Sequence, residues 1–335
     1  MSIRWKVARK SVATVCIVQG VGDLLKRPYQ SDDASAMADL FNLLDAHAGG
    51  HDGSTASDVQ SMISTLIADP TLDTSLWFAP EGELVAAGVT LSPPSGGYRV
   101  ELAGGVHPRW RGRGFGRELF AYQLGRAEAI HAASEAKTEW LAQASAISAD
   151  EDTLRLFRRF GMAPLRYWFE MVADTAAPAD VPAPEGLMVA AYRTEDEKPL
   201  YEAHTEAFRD HWGYQPRGPE VWLALSVRAE SFRPELSRLA FDGDELVGYV
   251  MSYQDADPSR LYIGQVGTRR PWRRRGVAAG LLGEVIAAAK QAGYASVSLG
   301  VDADSPTGAV GVYERVGFSV EFRAVSYSKP LPAVS

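Results

Sequence analysis

Apolar and polar positions along the chain spell one order of elements twice. In the first round Leu24–Arg27 reads as a short strand. Asp32 or Asp33 suits the cap of a helix over Ala34–Ala46, where Met37, Leu40, Phe41 and Leu44 form one stripe. After a Gly- and His-rich loop at 47–54, a second stripe of Val59, Met62, Ile63 and Leu66 predicts a helix over Thr55–Ala68. Strands follow at Ser75–Ala79 and Leu84–Leu91, joined by Pro80-Glu81-Gly82-Glu83, and at Tyr98–Val106. A helix (Arg117–Ala133), a strand (Thr138–Ala144), a short helix (Asp152–Phe160) and a closing strand (Leu165–Val172) complete the round.

The second round repeats this plan. It runs through a strand at Met188–Tyr192, helices at Asp196–Phe208 and Pro219–Val227, and a hairpin of Leu236–Phe241 and Glu245–Tyr253 across Asp242-Gly243-Asp244. A strand at Leu261–Thr268, a helix over Leu281–Ala292, a strand at Ser296–Val301, a helix over Gly308–Val316 and a strand at Val320–Ser328 follow. Between the rounds, Asp174–Glu185 carries three prolines, which favour extended chain. The expected organisation is an extension at 1–22, an N-terminal domain at 23–174, a linker at 175–186 and a C-terminal domain at 187–335. Hairpins combined with crossover helices predict α/β (α+β) units, each a mixed, mostly antiparallel sheet flanked by helices.

The candidate chemistry sits where strand meets helix. Val266–Gly280 reads V-G-T-R-R-P-W-R-R-R-G-V-A-A-G, with Arg273, Gly276 and Ala278 spaced R-x-x-G-x-A. A small-residue turn opening a helix leaves first-turn N–H groups unpaired and aimed at one point, where the helix dipole adds positive charge. Gly276 and Ala278 let a phosphate approach the backbone, and Arg273, Arg274 and Arg275 add charge-assisted contacts. His107–Gly116 reads H-P-R-W-R-G-R-G-F-G, placing Arg111, Gly114 and Gly116 as R-x-x-G-x-G at the same point of the first round. The two copies read as an internal duplication.

These loops resemble the [Q/R]-x-x-G-x-[G/A] signature of the GCN5-related N-acetyltransferase (GNAT) superfamily. The later A-V-G-V-Y-E-R-V-G-F at Ala309–Phe318 is similar to that family's A-x-x-L-Y-E-x-x-G-F. The layout is similar to that of mycothiol synthase and its tandem relatives, in which the second unit does the chemistry. The resemblance implies two tandem GNAT-like domains and transfer of acetyl from acetyl-CoA to a primary amine of a small molecule, by direct attack in a ternary complex. It implies pyrophosphate at Arg273, Arg274, Arg275, Gly276, Val277 and Ala278, and thioester oxygen against the backbone of Val266, Gly267 and Thr268. Ser305 stands where many relatives place an Asn that contacts the cofactor. Tyr313 takes the place of the general acid that protonates the leaving thiolate.

In the first unit Phe157 stands where Tyr313 does, and Phe has no proton to give. Its intact loop (Val106, Arg111, Gly112, Arg113, Gly114, Phe115, Gly116) is therefore a candidate second cofactor site without the acid. No carboxylate lies on Leu261–Thr268, and Tyr262 stands where mycothiol synthase has Glu. Glu206, Asp210, His211 and Asp302 are the substitute bases, His211 having the best-suited ordinary pKa. The competing class is a non-catalytic acyl-CoA-binding sensor. A mycothiol-type precursor, a protein N-terminus, polyamines, amino acids and aminoglycoside-like drugs stay open as acceptors.

Composition narrows this further. At 335 residues the chain suits two domains, each with its own core. A net charge of −8 argues against nucleic acid as the partner of the arginine run. No apolar run approaches a membrane span. Arg4, Lys6, Arg9 and Lys10 before Val12–Val18 look superficially like an export signal, but the patch is short and lacks a small-residue cleavage site. The single Cys16 excludes an internal disulfide and fits a reducing, cytoplasmic setting, and no metal-ligand spacing is present. A monomer or homodimer is expected, since the tandem units can pack as an internal pseudo-dimer.

Overall fold

The computed structural model describes residues 24–50, 53–94, 97–134, 138–177, 181–209, 211–255, 257–305 and 308–331. The N-terminal segment with Cys16, and the base candidate Asp210, lie outside the described residues. The first round comprises β1 (Leu25–Arg27), α1 (Ala34–Ala48), α2 (Ala56–Leu66), α3 (Pro70–Asp73), β2 (Thr74–Phe78), β3 (Leu84–Leu91), β4 (Arg99–Val106), α4 (Phe115–Ala133), β5 (Trp140–Ile147), α5 (Glu151–Arg159) and β6 (Ala163–Asp174). The second comprises β7 (Met188–Ala191), α6 (Glu197–Phe208), α7 (Pro219–Leu225), β8 (Arg238–Asp242), β9 (Glu245–Gln254), β10 (Arg260–Thr268), α8 (Val277–Gln291), β11 (Ser296–Asp302), α9 (Ala309–Val316) and β12 (Ser319–Leu331).

Local chemistry explains the element starts. Thr55 accepts from the Asp58 N–H while Asp58 reaches back to the Thr55 N–H, a reciprocal cap for α2. Asp33 precedes α1 but does not cap it. Its carboxylate is taken by the Arg27 guanidinium at 2.6 and 2.7 Å and by the Gln30 N–H. The one-turn helix α3, capped by Asp69 with Pro70 at its first position, escaped the periodicity argument because four residues carry no stripe.

Among the described residues the strands form one twelve-stranded sheet in the order β1-β2-β3-β4-β5-β12-β6-β11-β10-β9-β8-β7. Reading the order from either end gives the same sequence of equivalents, a pseudo-two-fold. Its centre is an exchange. β6 closes the first round in sequence but pairs with β11 from Ser296↔Asp174 to Asp302↔Trp168. β12 closes the second round but pairs with β5 from Ala324↔Ile147 to Leu331↔Trp140. The side chains follow the strands. Met171 and Ala173 of β6 sit in the core with Leu281, Val285 and Val316, while Val325, Tyr327 and Leu331 of β12 sit in the core with Phe120, Leu124 and Phe157. Each unit therefore completes its hydrophobic layer with a strand from the other.

Candidate active site

Among the described residues each unit contains one parallel strand pair, and both pairs part. β10 is registered with β11 from Arg260↔Ser296 to Ile263↔Leu299, while its other edge stays paired with β9 out to Thr268↔Gly248. β4 and β5 are paired from Arg99↔Leu141 to Glu101↔Gln143, while β4 stays paired with β3 out to Val106↔Ala86. A wedge thus opens beside Gly264–Thr268 in one unit and Leu102–Val106 in the other, with backbone edge groups lining it. In the second unit the β9 register shifts between Ile263 and Gln265. That bulge forms at Gly264, where a Cβ would lie 2.6 Å from the Tyr253 ring. The isolated Gly inside a strand pattern was the sequence signal for it.

A helix points its N-terminus at each wedge. α8 starts after Gly276 (φ 80°) and α4 after Gly114 (φ 90°), and no side chain caps either. Both loops need a second left-handed residue two positions earlier: Gly112 (φ 79°) in one, Arg274 (φ 62°) in the other. The flanking turns are built alike. Trp110 donates to Glu83 at 3.2 Å, and Trp272 donates to Asp242 at 3.2 Å, each carboxylate lying at or beside a hairpin turn. The uncapped N–H groups and an open Gly276 Cβ position suit a diphosphate.

The signature arginines hold their own loops. Arg273 donates from Nε to the Thr268 carbonyl at 3.2 Å and from Nη2 to the Ala207 carbonyl at 2.9 Å. Arg111 grips Asp150 through two bonds of 3.2 Å. Arg274 and Arg275 are exposed beside the start of α8, and Arg113, also exposed, stacks 4.6 Å over Trp110. Val277 is buried at the first helical turn and Ala278 half-buried beside it.

Tyr313, on α9, is buried against Phe318, and burial raises its phenol to about 12. Its hydroxyl has no hydrogen-bond partner among the described residues. Ser305 follows β11, its N–H bonded to the Asp302 carbonyl at 3.0 Å. On the opposite, paired edge of β10, Tyr249 of β9 is the cross-strand neighbour of Gly267, so close that a Cβ there would sit 2.3 Å from its ring. The Tyr249 hydroxyl meets His204 Nδ1 at 2.9 Å.

His204 was not singled out by the sequence reading, although a His within the Leu200–Ala203–Phe208 stripe of α6 was a signal. Burial, with Arg217 adding to it, lowers its pKa to about 4, so the ring is neutral at pH 7. It lines a recess of about 240 Å³ with Tyr201, Tyr214, Trp222, Arg217 and Gln265. Gln265 belongs to the bulged part of β10, so the recess abuts the wedge.

The base candidates are placed less simply. Glu206 accepts from the Arg270 N–H at 3.3 Å and lies 3.6 Å from Arg269, bracing the glycine loop. His211 bonds the Trp212 carbonyl through Nδ1 at 3.1 Å and stacks on Phe208. Asp302 is buried in a bidentate pair with Arg166 of β6, at 2.8 to 3.0 Å, which removes it as a free base.

The first unit encloses a larger cavity of about 800 Å³ between its parted strands, bounded by Gly112, Gly114, Gly116 and Phe157. Phe157 packs 5.2 Å from Phe120 and 5.6 Å from Tyr327 of the exchanged strand.

Comparison with known proteins agrees with this geometry. The acetyltransferase (GNAT) family profile matches residues 197–318. The chain is 32% identical to mycothiol acetyltransferase of Saccharopolyspora erythraea over 227 residues, 66% of this chain and 72% of that one. Its fold is similar to the crystal structure of a GCN5-related N-acetyltransferase from Sphaerobacter thermophilus, with TM-score 0.71 and 32% identity over 93% of this chain and 97% of that one. It is also similar in fold to a tandem GNAT protein from the clavulanic acid biosynthesis pathway, with TM-score 0.67 and 17% identity over 93% of this chain and 100% of that one.

Proposed function

The chain belongs to the GCN5-related N-acetyltransferase family, as an acyl-CoA-dependent enzyme of two GNAT-like domains, and from that premise we propose that its C-terminal unit, residues 187–335, transfers acetyl from acetyl-CoA to a primary amine of a small molecule. The observation that carries this reading is the uncapped α8 N-terminus beside the bulged β10 edge, with the Tyr313 hydroxyl unpartnered among the described residues and near enough to Tyr249 to act on its phenol. Acetyl-CoA supplies an activated carbonyl and a thiolate leaving group. The residues around it divide the remaining work. The first-turn N–H groups of α8 with Arg274 and Arg275 hold the diphosphate, and Ser305 offers a hydroxyl to the cofactor arm. The β10 edge at Val266–Thr268 polarises the carbonyl oxygen. Tyr313 keeps its proton on Oη throughout the neutral range and delivers it to the departing thiolate as the C–S bond breaks and the N–C bond forms, while the amine releases its proton to solvent, from which Tyr313 is reprotonated. Direct attack in a ternary complex needs no covalent enzyme intermediate.

The first unit, residues 23–174, keeps the loop, the wedge and a cavity, but carries Phe157 where the acid stands. These features support a unit that holds acyl-CoA without turning it over. Calorimetric titration with acetyl-CoA, run beside a turnover assay, tests both parts. Two sites are expected in the wild type. Gly276→Glu should lose one site and all turnover, and Gly114→Glu should lose the other site and keep turnover, because a carboxylate at either loop repels the diphosphate. Tyr313→Phe should keep both sites and lose about 100-fold in kcat. Absence of binding in the wild type, or full turnover in Gly276→Glu, would sink the proposal.

A further inference from the structure

The recess beside the β10 bulge has a chemical character that the transfer reaction alone does not fix. Its walls are aromatic: Tyr201, Tyr214 and Trp222 line it with the neutral His204. Arg217 is its one formally charged lining residue, and no carboxylate lines it. The Arg217 backbone is fixed, since its carbonyl accepts from the Tyr201 hydroxyl at 2.8 Å. Its guanidinium makes no ion pair among the described residues and lies close enough to His204 to oppose that ring's protonation. Arg217 is half-buried and lines this aromatic recess without an ion-pair partner among the described residues, an arrangement that suits a bound anion.

The loop that carries these residues is held by the first unit. Trp212 lies between two guanidinium groups, Arg99 at 5.2 Å and Arg166 at 5.1 Å from its ring centroid. Arg99 also donates to the Gly213 carbonyl at 2.6 Å, and Gln215 accepts from the Tyr98 N–H at 2.9 Å. Arg217 is thus presented from a loop anchored at several points, and a site built on anchored residues discriminates better than one on a free loop.

Resting on the acetyltransferase reading of the C-terminal unit, we propose that the acceptor is a compact amine with an apolar or aromatic body and a carboxylate that pairs with Arg217, of the amino-acid class. A polycation is disfavoured by the same observations. Polyamines and aminoglycosides would bring two or more positive charges against Arg217 with no lining carboxylate to receive them.

The test is a turnover panel of free amino acids, their carboxamides, the matching decarboxylated amines, spermidine and kanamycin. It is run on the wild type, Arg217→Gln and Arg217→Lys, with acetyl-CoA binding followed by calorimetry. At least one aromatic or aliphatic amino acid should be acetylated with kcat/KM about tenfold or more above its carboxamide. That ratio should collapse towards one in Arg217→Gln and be partly restored in Arg217→Lys. Equal or faster turnover of carboxamides or polycations, survival of the ratio in Arg217→Gln, or no turnover across the panel would overturn the acceptor assignment. Failure of the broader reading shows up separately, as loss of acetyl-CoA binding in the wild type or turnover that persists in Gly276→Glu.

Discussion

Burial holds Tyr313 and His204 of the second unit neutral, in opposite senses. Tyr313 is held protonated by burial up to about 12, so loss of the acid should not lower kcat below pH 10. His204 is held unprotonated by burial, with a pKa near 4 against an ordinary value of 6.5. Its unfolded form therefore takes up a proton first as pH falls. The stability it contributes is complete above pH 6.5 and is lost progressively down to about pH 4. A shift of this size corresponds to about 3 kcal/mol. Urea denaturation at pH 7.5 and pH 4.5 should show that extra loss in the wild type and a clearly smaller one in His204→Gln. An equal loss in both would mean that other groups set the acid sensitivity. The α6 stripe hinted at burial of His204, but its bond to Tyr249 was not legible in the sequence, because the two residues are far apart along the chain and meet only when α6 lies across β9.

At the scale of elements, the two glycine loops are one backbone shape with two solutions. Each needs left-handed residues two apart, and the first unit uses Gly112 and Gly114 while the second uses Arg274 and Gly276. The spacing of the signature exposed Gly114 and Gly276, but the Arg274 conformation had no composition cue. A Cβ at Gly276 meets no neighbouring atom within 4 Å, so substitution there isolates the backbone term. Gly276→Ala should cost about 1 kcal/mol in thermal denaturation. Arg274→Gly should be near neutral, since relief of the positive φ offsets the added freedom of the unfolded chain. A large loss for Arg274→Gly would mean that its side chain, rather than its backbone, holds the loop. The signature arginines show the opposite limit of motif reading. Arg111 and Arg273 were legible as members of the loop, but their carbonyl and carboxylate partners turn them inward as braces.

For the whole molecule, the exchange of β6 and β12 makes the two units one folding problem. Tyr327 is encoded in the second round yet is buried beside Phe157 in the first. Tyr327→Ala should cost about 3–5 kcal/mol. Hydrogen exchange should show protection falling first in β5 and α5, with α8 and α9 less affected. Loss confined to α8 and α9 would contradict the exchange. The Asp302–Arg166 pair and the Trp212 clamp join the units in the same way, so the loop that brings Tyr214 and Arg217 to the recess is anchored by first-unit residues. What the sequence determined by itself was the local and the repeated: helical stripes, alternating strands, the doubled glycine loops and the substitution of Phe157 for a tyrosine. These depend on neighbours within a few residues, where periodicity and backbone preference act. What only the tertiary structure decided was which strand each unit would borrow, where β10 parts from β11, and which distant side chains enclose the recess. Strand pairing is set by the burial of whole faces between segments more than a hundred residues apart, and alternation alone is satisfied equally well by either partner.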